Sequence, residues 1–537
     1  MLVAIPLVVM LPRLISAQFG FFDDPNTLIH SEAILSGEWS PTLEANEGRF
    51  RPLYWYFHTI MYWLFGDTPL GFFLVNTVLI ILLMFTLHDM IRRLRGNEIQ
   101  AWTVNISLLI SGPLLESAYT LSKPELLQSI FFALILWLSS IPHEQMAKHL
   151  RIILFFIGGA IALFACLTKE TGVLLLPISL AIFILMTLLA GINKNRKEWM
   201  VWSQHFFLSS SIGVVLYLLI RGRYVPFGLS RKGYAYGFTF DVDYLLQNTM
   251  IWLDIITKDY LYLLPLALLA VLLLWEKRRK NHLAIFVAAG IWAIAWLAVY
   301  IPWKYTQIYY LLPFAMGVSI FAGAVMSDFI WLIRQKQRWK RYFSWITGFI
   351  GVVLFTANAI NQITNVKMQL AVDASNEEML GYVLANADLG STVLLNIQEP
   401  NEYVRRFNDA VRELGGREDL NVGYVQLGNL PVDDERTVYY ILPVFEHQFY
   451  PSFRMGIFEH TSKAWDRALL SEVEGLGEPD HSVRNSFSAF IIDPLRIYCP
   501  LTPQIPYCQA PNTPFDKRVV RYGWDIYNIE KQPEAGS

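Results

Sequence analysis

The stretch TGVLLLPISLAIFILMTLLAG, residues 171–191, carries no charged side chain over 21 residues. A helix of about 20 apolar residues crosses the hydrocarbon core of a bilayer, so this stretch predicts a membrane span. Similar apolar runs before and after it raise the predicted number to about eleven. With 171–191, the predicted spans are 2–18, 70–91, 101–119, 125–141, 151–167, 205–221, 260–275, 283–301, 308–333 and 343–361.

The composition agrees with a polytopic α-helical membrane protein. The 537 residues are 54% hydrophobic and 16% charged, whereas soluble domains carry about 25% charged residues. The net charge of -2 gives no basic field for nucleic acid, and three cysteines exclude a disulfide-dense secreted scaffold. The short first run could instead be a cleaved signal peptide, although no basic region precedes it.

The charges of the short loops predict the orientation. Basic residues concentrate in five loops, which the positive-inside rule places in the cytoplasm. These residues are Arg92, Arg93, Arg95, Lys148, Arg151, Lys194, Arg196, Lys197, Lys277, Arg278, Arg279, Lys280, Arg334, Lys336, Arg338, Lys340 and Arg341. The opposite short loops carry one lysine each, namely Lys123, Lys169 and Lys304. The N-terminus is therefore expected inside and, with an odd number of spans, the C-terminus outside.

The chain divides into two predicted domains. Residues 1–361 form the membrane module, with long outer segments at 19–69 and 222–259. Residues 362–537 have the composition of a soluble protein and predict an extracytoplasmic α/β domain, with strands at 392–397, 437–445 and 488–492 and helices at 376–387 and 401–414. Within it, Cys499 and Cys508 are nine residues apart and could form a disulfide outside the cytoplasm or remain free thiols.

An acidic pair follows the first span, in FFDDPNT at residues 21–27. Asp24 followed by Pro25 is typical of a helix N-terminus, and the helix it opens is expected to run to Ser36-Gly37. This accounts for Asp24 but leaves the side chain of Asp23 free. Placing a carboxylate beside a membrane costs desolvation free energy, and the helix N-terminus does not explain Asp23. Asp23 is therefore the stronger candidate for chemistry.

A second surface helix is expected to begin in GRFRPLYWY, residues 48–56, and to end at Gly66. Its aromatic residues suit the lipid–water boundary. Arg51 is a candidate for binding phosphate, because a guanidinium group pairs with phosphate oxygens in a bidentate manner. Arg49 is a weaker candidate, since contact with lipid headgroups would explain it equally well.

Several other charged or polar residues fall in the predicted outer loops: Glu116, Lys123, Glu125, Lys169, Glu170, Lys304 and Tyr305. Each alone could belong to a solvated loop. Together they put several charges at the membrane face that also carries Asp23, which predicts a polar cavity there.

The layout of residues 1–330 resembles the GT-C superfamily of membrane glycosyltransferases, which includes protein O-mannosyltransferases, the aminoarabinose transferase of lipid A and the catalytic subunit of oligosaccharyltransferase. FDDPN resembles the acidic motif after the first helix of that family. RFRPLYW and LTKETGVLLLP are similar to stretches in its mannosyltransferase-like branch. Asp24 is a departure, because several members have Glu at this position, and this leaves open which carboxylate leads.

The resemblance implies an inverting transfer of one sugar, a hexose, from a polyprenyl-phosphate carrier to a protein, lipid or glycan acceptor outside the cytoplasm. Neither end carries a retention or lipidation signal, which favours the plasma membrane over the endoplasmic reticulum. Asp23 would act as the base, and cations would bind the donor phosphate. The candidate cations are Arg51, Lys304, Arg221, Arg223, Arg231 and Lys232. Asp23 and Asp24 could instead hold a divalent cation such as Mg²⁺ or Mn²⁺. The alternatives are a catalytically silent membrane subunit and a lipid or sugar transporter.

Overall fold

The computed structural model describes residues 1–20, 24–94, 96–142, 146–190, 197–225, 238–275, 280–303, 307–333, 338–395, 411–412, 416–424, 438–445, 465–474 and 522–531. The described helices are α1 Ala4–Ile15, α2 Asp24–Ser36, α3 Pro52–Phe65, α4 Pro69–Arg93, α5 Glu98–Leu109, α6 Gly112–Tyr119, α7 Glu125–Ser139, α8 Lys148–Thr168, α9 Leu175–Ala190, α10 Lys197–Tyr224, α11 Val242–Tyr260, α12 Leu263–Trp275, α13 Lys280–Tyr300, α14 Leu312–Ile333 and α15 Arg338–Asn386. Short 3-10 helices lie at Pro41–Glu47, Glu170–Leu174 and Ile308–Leu311.

Six described helices are long and apolar enough to cross a membrane: Pro69–Arg93, Lys148–Thr168, Glu170–Leu189, Trp199–Tyr224, Ile308–Ser327 and Arg338–Ile360. Four shorter apolar helices lie at Ala4–Ile15, Glu125–Ser139, Leu263–Leu273 and Ile285–Tyr300. The protein is therefore largely helical, and ten of the predicted spans coincide with an apolar helix. The count of eleven crossings stays a prediction.

The predicted span at 101–119 is wrong as a single helix. α5 ends at Leu109, and α6 starts afresh at Gly112. Ser111 caps the new helix, because its hydroxyl oxygen accepts a hydrogen bond from the Leu114 N–H at 3.4 Å. Pro113 lacks the N–H that an uninterrupted helix would need at this point, and this explains the break.

The two predicted surface helices are present. α2 ends at Ser36 before Gly37 (φ +80°), and α3 ends at Phe65 before Gly66 (φ +60°), so a glycine with positive φ ends each one. In contrast, the predicted helix at 376–387 is not separate. It is the last part of α15, which runs without a break across the predicted domain boundary at 361/362.

Five described strands form one mixed sheet, in the order β2-β1-β3-β5-β4. They are β1 Thr392–Leu395, β2 Asn421–Tyr424, β3 Val438–Phe445, β4 Trp465–Glu474 and β5 Tyr522–Lys531. β1 pairs in parallel with β2 and β3, while β5 is antiparallel to β3 and β4. β1 and β3 fall within predicted strands, whereas 488–492 and most of 401–414 lie outside the described residues.

Candidate functional site

The loop at residues 120–124, between α6 and α7, joins the elements that carry the candidate residues. The Thr120 hydroxyl accepts a hydrogen bond from Gln369 of α15 at 2.8 Å. The Ser122 N–H donates to Asp24 of α2, and the Ser122 carbonyl accepts from the Tyr54 hydroxyl of α3 at 3.0 Å. One loop thus fixes both surface helices and the last helix relative to each other.

Asp24 lies at the first position of α2 and is completely buried. Its Oδ2 accepts a hydrogen bond from the Gly20 N–H at 2.6 Å, and its Oδ1 accepts one from the Ser122 N–H at 3.2 Å. Hydrogen bonds from backbone N–H groups stabilise a carboxylate in a buried setting. Asp24 therefore ties Gly20 and the loop at 120–124 to the start of α2. Asp23, the residue before it, lies outside the described residues.

A buried ion pair that the sequence analysis missed lies next to Asp24. Arg13 of α1 is 2.8 Å from the Asp373 carboxylate of α15, and their side chains are 1% and 9% exposed. Burial raises the pKa of Asp373 to about 7; Arg13 opposes this rise, and the charge of Asp24 adds to it. An arginine within an apolar helix is a signal that could have pointed to a partner. Asp373 lies in a stretch of ordinary composition, so the sequence gave no signal that it is the partner of Arg13.

Arg51 is held by an acidic residue that the sequence analysis also missed. Its Nε is 2.7 Å from Oε1 of Glu44, and the Trp55 indole N–H donates to Oε2 of the same carboxylate at 2.9 Å. The guanidinium group stacks over the rings of Tyr54 and Trp55, with its Cζ 4.7 Å and 5.4 Å from their centroids. A charge held in this way is oriented at low entropic cost.

Lys169 and Glu125 form a second buried ion pair, with side chains 6% and 1% exposed. The Lys169 ammonium also lies 4.2 Å from the centroid of the Tyr310 ring. The charges of Glu170 and Arg51 are close enough to act on Lys169. Glu170 in turn accepts a hydrogen bond from the Phe50 N–H at 2.8 Å, which ties the segment before α3 to the 3-10 helix after α8.

Glu116 and Lys123 lie beside this pair. Glu116 accepts a hydrogen bond from the Tyr309 N–H, and the charges of Lys123 and Glu125 act on it. Its Oε2 atom is buried and has no hydrogen-bond partner among the described residues. The Lys123 ammonium lies 4.4 Å from the centroid of the Tyr309 ring. Five of the predicted outer residues are thus brought together as a charged and aromatic network, namely Glu116, Lys123, Glu125, Lys169 and Glu170.

The structure describes three of the other predicted cations, Arg49, Arg221 and Arg223. Arg221, at the end of α10, donates to the Gly48 carbonyl at 3.1 Å, while Arg223 is exposed. Arg49 is half-buried in the same region, where the ring of Phe50 stacks on Tyr224 with centroids 5.2 Å apart. The predicted residues outside the described part of the chain are Arg231, Lys232, Lys304, Tyr305, Cys499 and Cys508.

The described residues do not form a metal site. Across them, no group of three His, Cys, Asp or Glu side chains is placed to hold an ion. Both carboxylate oxygens of Asp24 already accept backbone hydrogen bonds.

Two kinds of solved structure resemble this chain. No family model matches the sequence, and the curated proteins give no match. ArnT from Cupriavidus metallidurans bound to undecaprenyl phosphate is 15% identical, with a TM-score of 0.48 over 82% of this chain and 92% of its own. An oligosaccharyltransferase from Archaeoglobus fulgidus, in complex with Zn and sulfate, is 10% identical, with a TM-score of 0.45 over 98% of this chain and 88% of its own. These are the kinds of enzyme to which the sequence was likened, but at such scores the similarity alone assigns no activity.

Proposed function

We propose that the protein is an inverting GT-C-type glycosyltransferase, which moves one hexose from a polyprenyl-phosphate carrier to an acceptor on the extracytoplasmic side of the plasma membrane. The observation that carries the proposal is the anchoring of Asp24. A buried carboxylate is fixed by two backbone N–H groups, and the predicted base Asp23 directly precedes it in the chain. The loop that bonds Asp24 runs directly into Glu125, the partner of Lys169.

In the proposed reaction, Asp23 accepts the proton of the acceptor hydroxyl. The acceptor oxygen then forms a bond to the anomeric carbon as the bond from that carbon to the phosphate oxygen breaks. The electron pair leaves with the lipid phosphate, and direct attack inverts the anomeric centre. A carboxylate positioned as general base contributes about 10²–10⁴-fold to such a step.

Growth of charge on the leaving phosphate requires cations. Arg51 suits this task, because it is already oriented by Glu44 and two aromatic rings. In this proposal, the donor phosphate replaces Glu44 as the partner of some of the N–H groups of Arg51. Lys304 and the 221–232 set remain predicted partners of the phosphate.

α3 supplies a route for the isoprenoid chain. Tyr56, Ile60, Trp63 and Leu64 are between 47% and 70% exposed. Their spacing places them on one face of the helix, opposite the buried Trp55 and Met61. An exposed apolar and aromatic stripe of this kind suits contact with lipid at the membrane boundary.

The test is transfer of radiolabelled sugar from a polyprenyl-phosphate donor by purified protein in lipid nanodiscs. Asp23→Asn is expected to abolish transfer while the protein stays folded, because the amide cannot accept the proton. Arg51→Gln is expected to raise the KM for donor, whereas Arg92→Gln, which removes one side of an exposed ion pair with Glu98, should leave transfer unchanged. Near-normal turnover of Asp23→Asn would remove Asp23 as the base.

The same assay separates the rival functions. Donor movement across proteoliposomes without transfer would favour a transporter, and neither activity would favour a silent membrane subunit. No described observation favours either rival over transfer.

A further inference from the structure

α15 carries a polar stripe from its membrane span into its outer part. Asn358, Gln362, Gln369, Asp373 and Glu377 are spaced 4, 7, 4 and 4 residues apart, which places them within an arc of about 100° on the helix. Each makes a polar contact with a different part of the molecule: with the Ile110 carbonyl, Asp259, Thr120, Arg13 and Gln18, respectively. This stripe spans about 29 Å of helix.

A short series of contacts connects Asp373 to Asp24. Arg13 is paired with Asp373, and its NH2 group also donates to the Gln18 carbonyl at 2.9 Å. Gln18 lies two residues before Gly20, whose N–H donates to Asp24. A Cβ atom placed on Gly20 would lie 3.2 Å from the Asp24 carboxylate and 3.9 Å from that of Asp373. The two carboxylates therefore flank the same glycine.

We propose that Asp373 is a positioning residue for Asp24: through Arg13 it fixes residues 16–20, whose Gly20 N–H donates to the Asp24 carboxylate, and so couples the placement of Asp24 to α15. This inference rests on the proposed function for its catalytic consequence, but its structural content does not. α15 continues from Asp373 for about 20 Å before the chain enters β1, so the outer domain is joined to the site by an unbroken helix.

The ionisation of Asp373 offers a readout that packing alone would not give. The groups that act on its carboxyl are Arg13, Asp24 and Glu377, and its pKa is raised to about 7. As the pH falls from 8 to 6, protonation removes the charge that faces Arg13. Because burial raises this pKa, the closed state binds the proton more tightly than an open, solvated state does, so the lower pH should increase the protection of residues 16–20 in the wild type and have no such effect in Asp373→Asn.

The experiment is hydrogen exchange, read by mass spectrometry on the peptide that contains residues 16–24. Asp373→Asn is expected to speed exchange in this peptide by about 10-fold or more, and Asp373→Glu is expected to preserve protection. Removal of one member of a buried ion pair leaves the other charge without a partner and can itself unfold the protein. The double variant Arg13→Gln/Asp373→Asn, which leaves no such charge, is therefore measured as well and should also exchange fast. The matched control is Arg92→Gln/Glu98→Gln, which removes an exposed pair 2.9 Å apart.

The outcomes separate this inference from the proposed function. Wild-type exchange rates in Asp373→Asn, or restored protection in the double variant, would overturn the positioning role. If transfer is observed, Asp373→Asn should lower kcat about 10-fold or more with the donor KM within about twofold, because misplacement of a reacting group costs rate rather than binding. If wild type transfers no sugar, the proposed function fails and the exchange result still stands.

Discussion

At the scale of single residues, two ion pairs are buried among the residues that the structure describes. Lys169 with Glu125 and Arg13 with Asp373 are both nearly inaccessible to solvent. Removing one member of such a pair leaves a desolvated charge without compensation, and this costs far more than the pair contributes to stability. The proposed site therefore depends on paired groups rather than on isolated ones.

Lys169→Met should lower stability by about 3–5 kcal/mol, because it strands the Glu125 carboxylate. The double variant Lys169→Met/Glu125→Gln should recover most of this loss. Thermal unfolding in detergent gives the comparison. As a control, Arg92→Met breaks an exposed pair with Glu98, which are 2.9 Å apart, and should cost about 1 kcal/mol or less. Equal losses in the Lys169 single and double variants would contradict this prediction.

At the scale of elements, α8 and α10 cross through small residues. A Cβ atom on Gly213 would lie 2.4 Å from Ala162 and 2.5 Å from the Gly159 carbonyl oxygen. Helices in membranes approach closely where glycine removes the side chain, since packing rather than hydrophobicity drives their association. The crossing therefore depends on glycine at this position.

Gly213→Ala should destabilise the protein by about 1–3 kcal/mol, because the new methyl group forces the two helices apart. Gly290→Ala is the matched control within α13, where a Cβ atom would meet nothing within 4 Å. There the better helix propensity of alanine should raise stability by about 1 kcal/mol. Melting temperatures of the two variants that shift in the same direction would contradict this account.

The features that could be predicted from the sequence are those that depend on residues close together in the chain. Apolar runs and capping patterns are local, so α2, α3 and most spans could be predicted. Pro113 was a local signal too, but the apolar run across it hid the break between α5 and α6. The partners of Arg13 and Arg51 depend on contacts between distant segments, and nothing near Asp373 or Glu44 marks them as partners. The predicted roles of Asp23 and Lys304 stay predictions.

At the scale of the whole molecule, the expected topology can be measured directly. In a background of Cys166→Ala, Cys499→Ser and Cys508→Ser, Leu389→Cys should react with an impermeant maleimide on intact cells, because Leu389 is 88% exposed and follows α15. Ala147→Cys, which lies before α8, should react only after permeabilisation. Labelling of Ala147→Cys in intact cells would invert the predicted orientation.

The loop at 120–124 has a consequence for how the chain can vary. Its consecutive residues are bonded to α15, α3 and α2 and stack on Tyr309. One inserted or deleted residue would move every later partner by about 3.5 Å, more than a hydrogen bond can stretch. The length of this loop is therefore constrained: natural variants should differ in length in their tails and in the loops predicted to be cytoplasmic, while the spacing from Thr120 to Glu125 stays constant.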